Sequence, residues 1–161
     1  MPTEQEYLTK EKFDQLEKEL ASLKTVRRKE IAEALEYAKS LGDLKENQEY
    51  QEARDSQAIL EDRIGRLENI LKSAKIVATQ SNGTVSAGSL ITIEKVEPVT
   101  DEASKSRKDY MMVGSEETDA ANGKISIRSP LGLAAMGKTK GETFSFETPS
   151  GKMSYKIIDI K

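Results

Sequence analysis

The sequence predicts an α+β protein: an N-terminal antiparallel α-helical coiled-coil hairpin, then an antiparallel sheet domain with one short helix. Three observations predict it. Apolar residues in the first half recur at heptad spacing among charged ones. In the second half they recur in short runs with the period of a strand. The composition shifts near Gln80-Ser81-Asn82-Gly83-Thr84, a turn-rich stretch that reads as a linker. Residues 1–78 carry 14 basic and 17 acidic side chains and almost no Gly, whereas 79–161 carry 11 of each sign and most of the Gly, Pro, Ser and Thr. The domain boundary is therefore placed between 78 and 79.

The hairpin follows from spacing. Thr9 before Lys10-Glu11-Lys12 marks a helix start. Phe13, Leu16, Leu20 and Leu23 step by three, four and three, and the pattern then loosens through Val26, Ile31, Leu35, Ala38 and Leu41. Leu60, Ile64, Leu67, Leu71 and Ala74 form a second run. Between the runs, Gly42 can take the left-handed conformation that ends a helix and Asp43 can cap the next one. Arms of roughly 30 residues at a ~1.5 Å rise give a rod of about 45 Å. A rod has a seam rather than a core, which accounts for an apolar fraction of only 36%.

In the second half, Leu90–Ile93, Tyr110–Val113, Ile125–Ile127, Phe144–Phe146 and Tyr155–Ile160 read as strands. Thr148-Pro149-Ser150-Gly151 reads as the turn joining the last two. Leu131–Met136 reads as a short helix, with Ser129 as cap, Pro130 at the first position and Gly137 at the end. The charged stretch from Pro98 to Lys108 reads as a mobile loop.

Composition also excludes chemistry. The chain has 161 residues, a net charge of -3, and no His, Cys or Trp. Disulfides, thiol nucleophiles, imidazole bases and His- or Cys-bound zinc are therefore excluded. What remains is carboxylates, hydroxyls, amines and backbone groups, a set that suits a hard cation such as Mg²⁺. No run of 18 apolar residues spans a membrane, and the N-terminal residues do not read as a signal peptide. The expected location is the cytoplasm and the expected state a monomer.

The informative stretch is Gly42-Asp43-Leu44-Lys45-Glu46-Asn47-Gln48-Glu49-Tyr50, at the tip of the hairpin. Asp43 and Glu46 are three apart, so at a helix start they share a face, with Cβ atoms roughly 5–6 Å apart. Two such carboxylates could ligate one Mg²⁺ or orient a water on it. The same pair also reads as a capping box, Asp43 accepting from the Glu46 amide and Glu46 reaching back; capping is the commoner use of this spacing. An exposed cap still presents its oxygens. Two carboxylates fall short of the six or so oxygens that Mg²⁺ takes, so a metal site here needs ligands from a partner.

These residues resemble the Gre factors, bacterial transcript cleavage factors. The resemblance spans nearly the whole chain. It is carried by Val26-Arg27-Arg28-Lys29-Glu30-Ile31, by Ala38 through Tyr50 with Gly42-Asp43-Leu44-Lys45-Glu46-Asn47, and by Glu52-Ala53-Arg54. Ile125 through Gly132, Gly137-Lys138 and Thr148-Pro149-Ser150-Gly151 carry it in the second half. The resemblance implies a coiled coil that enters the secondary channel of RNA polymerase and stimulates cleavage of backtracked nascent RNA. Asp43 and Glu46 fall on the two acid positions that help hold the second catalytic Mg²⁺ of the polymerase. No cofactor bound stably by the chain itself is implied, and no enzymatic activity of its own. Lys39 and Arg54 match a basic patch for the 3′ end of the RNA, although each also reads as an ordinary solvated charge. Ser129 and Pro130 match the segment by which the globular domain docks on the polymerase rim. Arg128 stands there where family members often carry Asp or Asn.

The resemblance further implies an FKBP-like globular domain. Prolyl isomerase activity is not expected, because Tyr110, Phe144, Phe146 and Tyr155 are the only large aromatics of that domain and their placement suits a core. Two other functions stay open on sequence: a channel-binding polymerase inhibitor of the same fold, and a coiled-coil chaperone or adaptor.

Overall fold

The computed structural model describes residues 5–43, 45–78, 83–97 and 106–161. The central residues of the expected linker, most of the expected loop from Pro98, Leu44 of the tip and the first four residues lie outside that set. The described chain divides into two compact units. Phe13–Ser73 forms one, and the residues before Phe13 join those from Ala74 onward to form the other.

The helical unit is a hairpin. Helix α1 (Lys10–Ser22) runs through a π-helical turn (Leu23–Arg27) into α2 (Arg28–Ser40), and α3 (Gln48–Ser73) returns. Its apolar cluster consists of Ile31, Leu35, Ala53, Leu60 and Ile64, with Leu20, Leu23 and Tyr50 packed against it. The π-helical turn explains why the apolar spacing loosens there. Continuing the heptad from Leu23 would place the next seam positions at 27, 30, 34 and 37. The buried residues are Ile31, Leu35 and Ala38, one residue late. A π-helical turn takes up one extra residue, so the seam stays on one face across it. Val26, read from the sequence as part of the apolar pattern, is 57% exposed, because it lies in the turn that takes up the slack. Leu41 is also exposed, since it follows the end of α2. On α3, Ile70 is buried and Leu71 only half-buried.

In the other unit, a two-residue strand β1 (Tyr7–Leu8) pairs in parallel with β2 (Lys75–Ile76). Thr9 caps α1, its Oγ1 accepting from the Lys12 N–H at 3.2 Å. Its own N–H and hydroxyl donate to the carboxylate of Glu117, at 3.1 and 2.8 Å. Glu117 is buried, and Lys124 Nζ lies 3.3 Å from it. Each of the two carboxylate oxygens thus has a donor, as a buried carboxylate requires.

The main sheet contains β3 (Leu90–Glu97), β4 (Arg107–Val113), β5 (Lys124–Ser126), β6 (Thr143–Thr148) and β7 (Gly151–Ile160), in the order β5-β4-β3-β7-β6. Three pairings are antiparallel, as expected from the sequence, while β4–β5 is parallel, so the sheet is mixed. The chain between β4 and β5 makes two 3₁₀ turns, at Ser115–Glu117 and Ala120–Asn122, which bring it back beside Met111 to run parallel with the last residues of β4. Arg107 and Lys108, assigned from sequence to a loop, belong to β4 and pair with Glu94 and Ile93.

One face of the sheet is apolar. Ile91, Ile93, Met112, Ile127, Ala135, Phe144 and Ile157 are buried together with Val85. Phe144 and Tyr155 are directly paired across β6 and β7. Their rings and that of Phe146 stack, with centroids 5.9–6.4 Å apart, which places these aromatics in the core region as their alternation predicted. The other face carries polar ladders, such as Thr92 Oγ1 donating to Asp109 at 2.6 Å and Arg107 bonded to Glu94 at 3.2 Å. Helix α4 (Pro130–Ala135) packs on the sheet through Gly132 and Ala135. Gly132 has no alternative: a Cβ there would lie 2.1 Å from the Ser126 carbonyl oxygen.

Candidate functional site

The seven residues between α2 and α3 form the tip. Helix α2 ends at Ala38–Ser40, where the Leu41 N–H donates to the Ala38 carbonyl at 3.2 Å. Gly42 then takes φ = 109°, open to glycine and strained for other residues, and turns the chain back. Asp43 follows, exposed, with its Oδ1 accepting from the Lys45 N–H at 3.1 Å. This is a local turn rather than a helix cap.

Helix α3 begins four residues later than the capping reading of Asp43 implies, at Gln48, and its cap is Asn47. Asn47 Oδ1 accepts from the Tyr50 N–H at 3.1 Å, the N3 position that a capping side chain serves. The Asp43–Glu46 capping box is therefore not formed, and the two acids do not share a helix face. Both lie in the loop ahead of the helix. The signal for Asn47 was present, since Asn is among the strongest cap formers. Asp43, directly after the glycine that ends α2, competed with it.

The loop leaves its acids available. One oxygen of Asp43 is engaged by backbone, and the Glu46 carboxylate has no hydrogen bond or ion pair among the described residues. Among the described residues, no three acids cluster closely enough to hold a metal ion. Two exposed hard-oxygen donors suit a Mg²⁺ whose other ligands are supplied from outside the chain.

Several cations of the stem are paired with acids. In the stem, Arg28 grips Glu61 with two bonds of 2.8 and 2.6 Å. The hydrogen bond from Arg28 holds the Glu61 carboxyl below its usual value, and the same bond raises the Arg28 guanidinium. Arg63 pairs with Glu19 at 2.8 Å, Lys24 with Glu68, and Arg27 with Glu30. Near the tip, the exposed Lys39 and Lys45 have no ion pair among the described residues, and Arg54 is bonded to the neutral Gln57 at 3.0 Å. Lys45, which the sequence reading did not single out, thus joins Lys39 and Arg54 as a tip cation without an acidic partner among the described residues.

In the globular unit, Ser129 caps α4, accepting from the Gly132 N–H at 3.0 Å and donating to the Ser126 carbonyl at 2.7 Å. Pro130 occupies the first turn. Arg128 projects towards the N-terminal segment, with Nη2 3.3 Å from the Gln5 carbonyl oxygen and Nη1 4.0 Å from Glu6. Ser129 and Pro130 also line a cavity of about 360 Å³ with Ile125, Leu131 and Pro149, in which Phe146 is the one aromatic. That lining is not the aromatic box expected of a prolyl-isomerase site.

Comparison with known proteins accounts for both halves. A family described as "Transcription elongation factor, N-terminal" matches residues 6–76, and one described as "Transcription elongation factor, GreA/GreB, C-term" matches residues 80–161. The chain belongs to the GreA/GreB transcription elongation factors. It is 43% identical to transcription elongation factor GreA of Caldanaerobacter subterraneus subsp. tengcongensis, over 96% of each chain. It is 41% identical to GreA of Bacillus cytotoxicus, over the full length of both. Among solved structures it is similar to GreA factor homolog 1 of Thermus thermophilus, at 28% identity and a TM-score of 0.44, covering 98% of this chain and 99% of that one.

Proposed function

We propose that this protein is a transcript cleavage factor: its hairpin enters the secondary channel of a bacterial RNA polymerase and the tip acids complete the site that cleaves backtracked RNA. The observation that carries the reading is the tip loop, which presents Asp43 and Glu46 to solvent with at least three of their four oxygens open among the described residues. Family membership and relatives named as elongation factors support it.

The roles follow from the chemistry. Asp43 and Glu46 contribute ligands to a Mg²⁺ that the polymerase also holds, and they orient a water on it. Having too few ligands alone, the chain is an accessory to the polymerase and not an enzyme in its own right. It holds no stable cofactor. Lys39 and Arg54, joined by Lys45, attract the phosphates of the RNA 3′ end. Arg128, Ser129 and Pro130 dock the globular unit on the rim of the channel. The Arg128 contacts with Gln5 and Glu6 draw it toward the chain's own N-terminal segment, so Ser129 and Pro130 supply the outward part of that surface. The protein works as a monomer in the cytoplasm, where its polymerase is; no described helix is long and apolar enough to cross a membrane.

The test uses purified bacterial polymerase in stalled, backtracked elongation complexes with labelled RNA. Release of short RNA fragments on adding the protein, followed by resumed synthesis, is the expected result. Slowed synthesis without fragments would favour a channel-binding inhibitor. Absence of any effect on the polymerase would leave the chaperone or adaptor reading.

A further inference from the structure

We infer that Asn47 is a positioning residue for the tip acids, a clasp that joins the end of α2 to the start of α3 and sets the loop between them. The inference rests on the functional reading above and adds to it a residue that does not itself touch metal or RNA.

The geometry is specific. Asn47 Nδ2 donates to the Ala38 carbonyl at 2.6 Å, nine residues back, while Oδ1 accepts from the Tyr50 N–H at 3.1 Å. Its backbone carbonyl accepts from the Gln51 N–H at 3.2 Å. A helix leaves its last carbonyls and its first amides without partners. Here one amide side chain serves one of each, on two different helices. The two partners also decide which way the amide faces: a carbonyl must meet the NH₂ and an N–H must meet the oxygen.

The anchor on the α2 side is firm. Ala38 is 1% exposed and is the last buried seam residue of α2. Its carbonyl also accepts from Leu41 at 3.2 Å. The clasp thus closes a ring of backbone from Ala38 to Asn47, and both acids lie inside that ring. Among the described residues the other restraints inside it are light: the Lys45 N–H to Asp43 at 3.1 Å and a long Gly42 N–H to Lys39 contact at 3.5 Å. A loop so sparsely bonded depends on its closure for its shape, and metal ligands must be held within a fraction of an ångström to act.

No other common cap former reproduces both bonds. Asp at 47 would keep the acceptor for Tyr50 and so keep the helix cap, but it would face the Ala38 carbonyl with a lone pair instead of a proton. Ser would keep the cap with a shorter side chain. Asn47→Asp and Asn47→Ser therefore separate the clasp from the cap.

The experiment compares wild type, Asn47→Asp, Asn47→Ser and Asp43→Asn, all full-length, in backtracked elongation complexes over a range of Mg²⁺ concentrations. Polymerase affinity is measured separately by competition, and helix content by circular dichroism. For both Asn47 variants we expect helix content and polymerase affinity as in wild type. We expect cleavage slowed about 10- to 100-fold, as for an ångström-scale misplacement of a catalytic group, and partly restored by raised Mg²⁺. Cleavage by the Asn47 variants at the wild-type rate, with Asp43→Asn inactive, overturns the clasp and leaves the functional reading intact. So does loss of cleavage in strict proportion to lost polymerase binding. A wild type that stimulates no cleavage overturns the functional reading, and the inference with it.

Discussion

Deleting Val26 tests the register of the hairpin. The apolar residues before the π-helical turn, Phe13, Leu16, Leu20 and Leu23, are spaced for a heptad that would continue at 30, 34 and 37, yet Ile31, Leu35 and Ala38 are the buried ones beyond it. If the turn exists to take up one residue, removing one from it leaves a continuous α-helix with both halves of the seam still facing α3. Val26 is the residue to remove, because its side chain is 57% exposed and its loss forfeits little burial. Deleting Thr25 together with Val26 is the contrasting variant. It would rotate everything beyond by about 100° and swing Ile31 and Leu35 out of the seam. Those side chains are 6% and 9% exposed. At about 1.5–3 kcal/mol for burying each, the double deletion should cost roughly 3–6 kcal/mol, while the single deletion should stay within about 1 kcal/mol of wild type. Urea unfolding followed by circular dichroism at 222 nm reads both. A single deletion as damaging as the double one would refute the idea that the turn carries one surplus residue.

Gly132→Ala should destabilise the globular unit by about 1–3 kcal/mol. The new Cβ would meet the Ser126 carbonyl oxygen at 2.1 Å and Ile127 backbone atoms at 2.8 Å, none of which can swing aside as a side-chain end would; an unchanged thermal midpoint would contradict that packing. Acid should weaken the fold in a defined direction. Hydrogen bonds hold four carboxyls below their ordinary values: Arg28 on Glu61, the Asn122 side chain on Asp119, the Thr139 N–H on Glu142, and Lys140 on Asp159. The unfolded chain binds those protons more readily, so the stability they contribute stands above the ordinary values of 3.8 and 4.5 and is lost as pH falls through the lower folded values. Urea midpoints measured between pH 6 and 3 should fall with acid, and Glu142→Gln should flatten that fall; a slope unchanged in Glu142→Gln would remove that group from the account.

Much of the architecture could be read from periodicity. Leu16, Leu20, Leu60, Ile64 and Leu67 repeat on one face for long enough to specify a helix pair, and the strands of the second half announce themselves by alternation. What escaped depended on closure in three dimensions. Val26 looked like a seam residue because a π-helical turn has no composition of its own. Asp43 looked like the cap because both it and Asn47 suit the role, and only the length of the loop decides which one stands next to the first helical hydrogen bond. The parallel pairing of β4 with β5 depends on two 3₁₀ turns whose residues look like ordinary loop. Glu117 gave no sequence signal, since its partners Thr9 and Lys124 lie 108 and seven residues away. The acids themselves were legible from their setting: Gly42 ahead of them and an apolar seam on either side leave them at a turn with nowhere to be buried.

The central claim is that Asp43 acts as a metal ligand, and Asp43→Asn tests it most directly. The variant keeps the Oδ1 acceptor for the Lys45 N–H, so the loop turn is preserved, and it removes the negative charge. In backtracked elongation complexes with saturating protein, the account predicts that Asp43→Asn still competes with wild type for the polymerase, while RNA cleavage falls to the rate seen without any added protein. Cleavage at the wild-type rate by Asp43→Asn would contradict it.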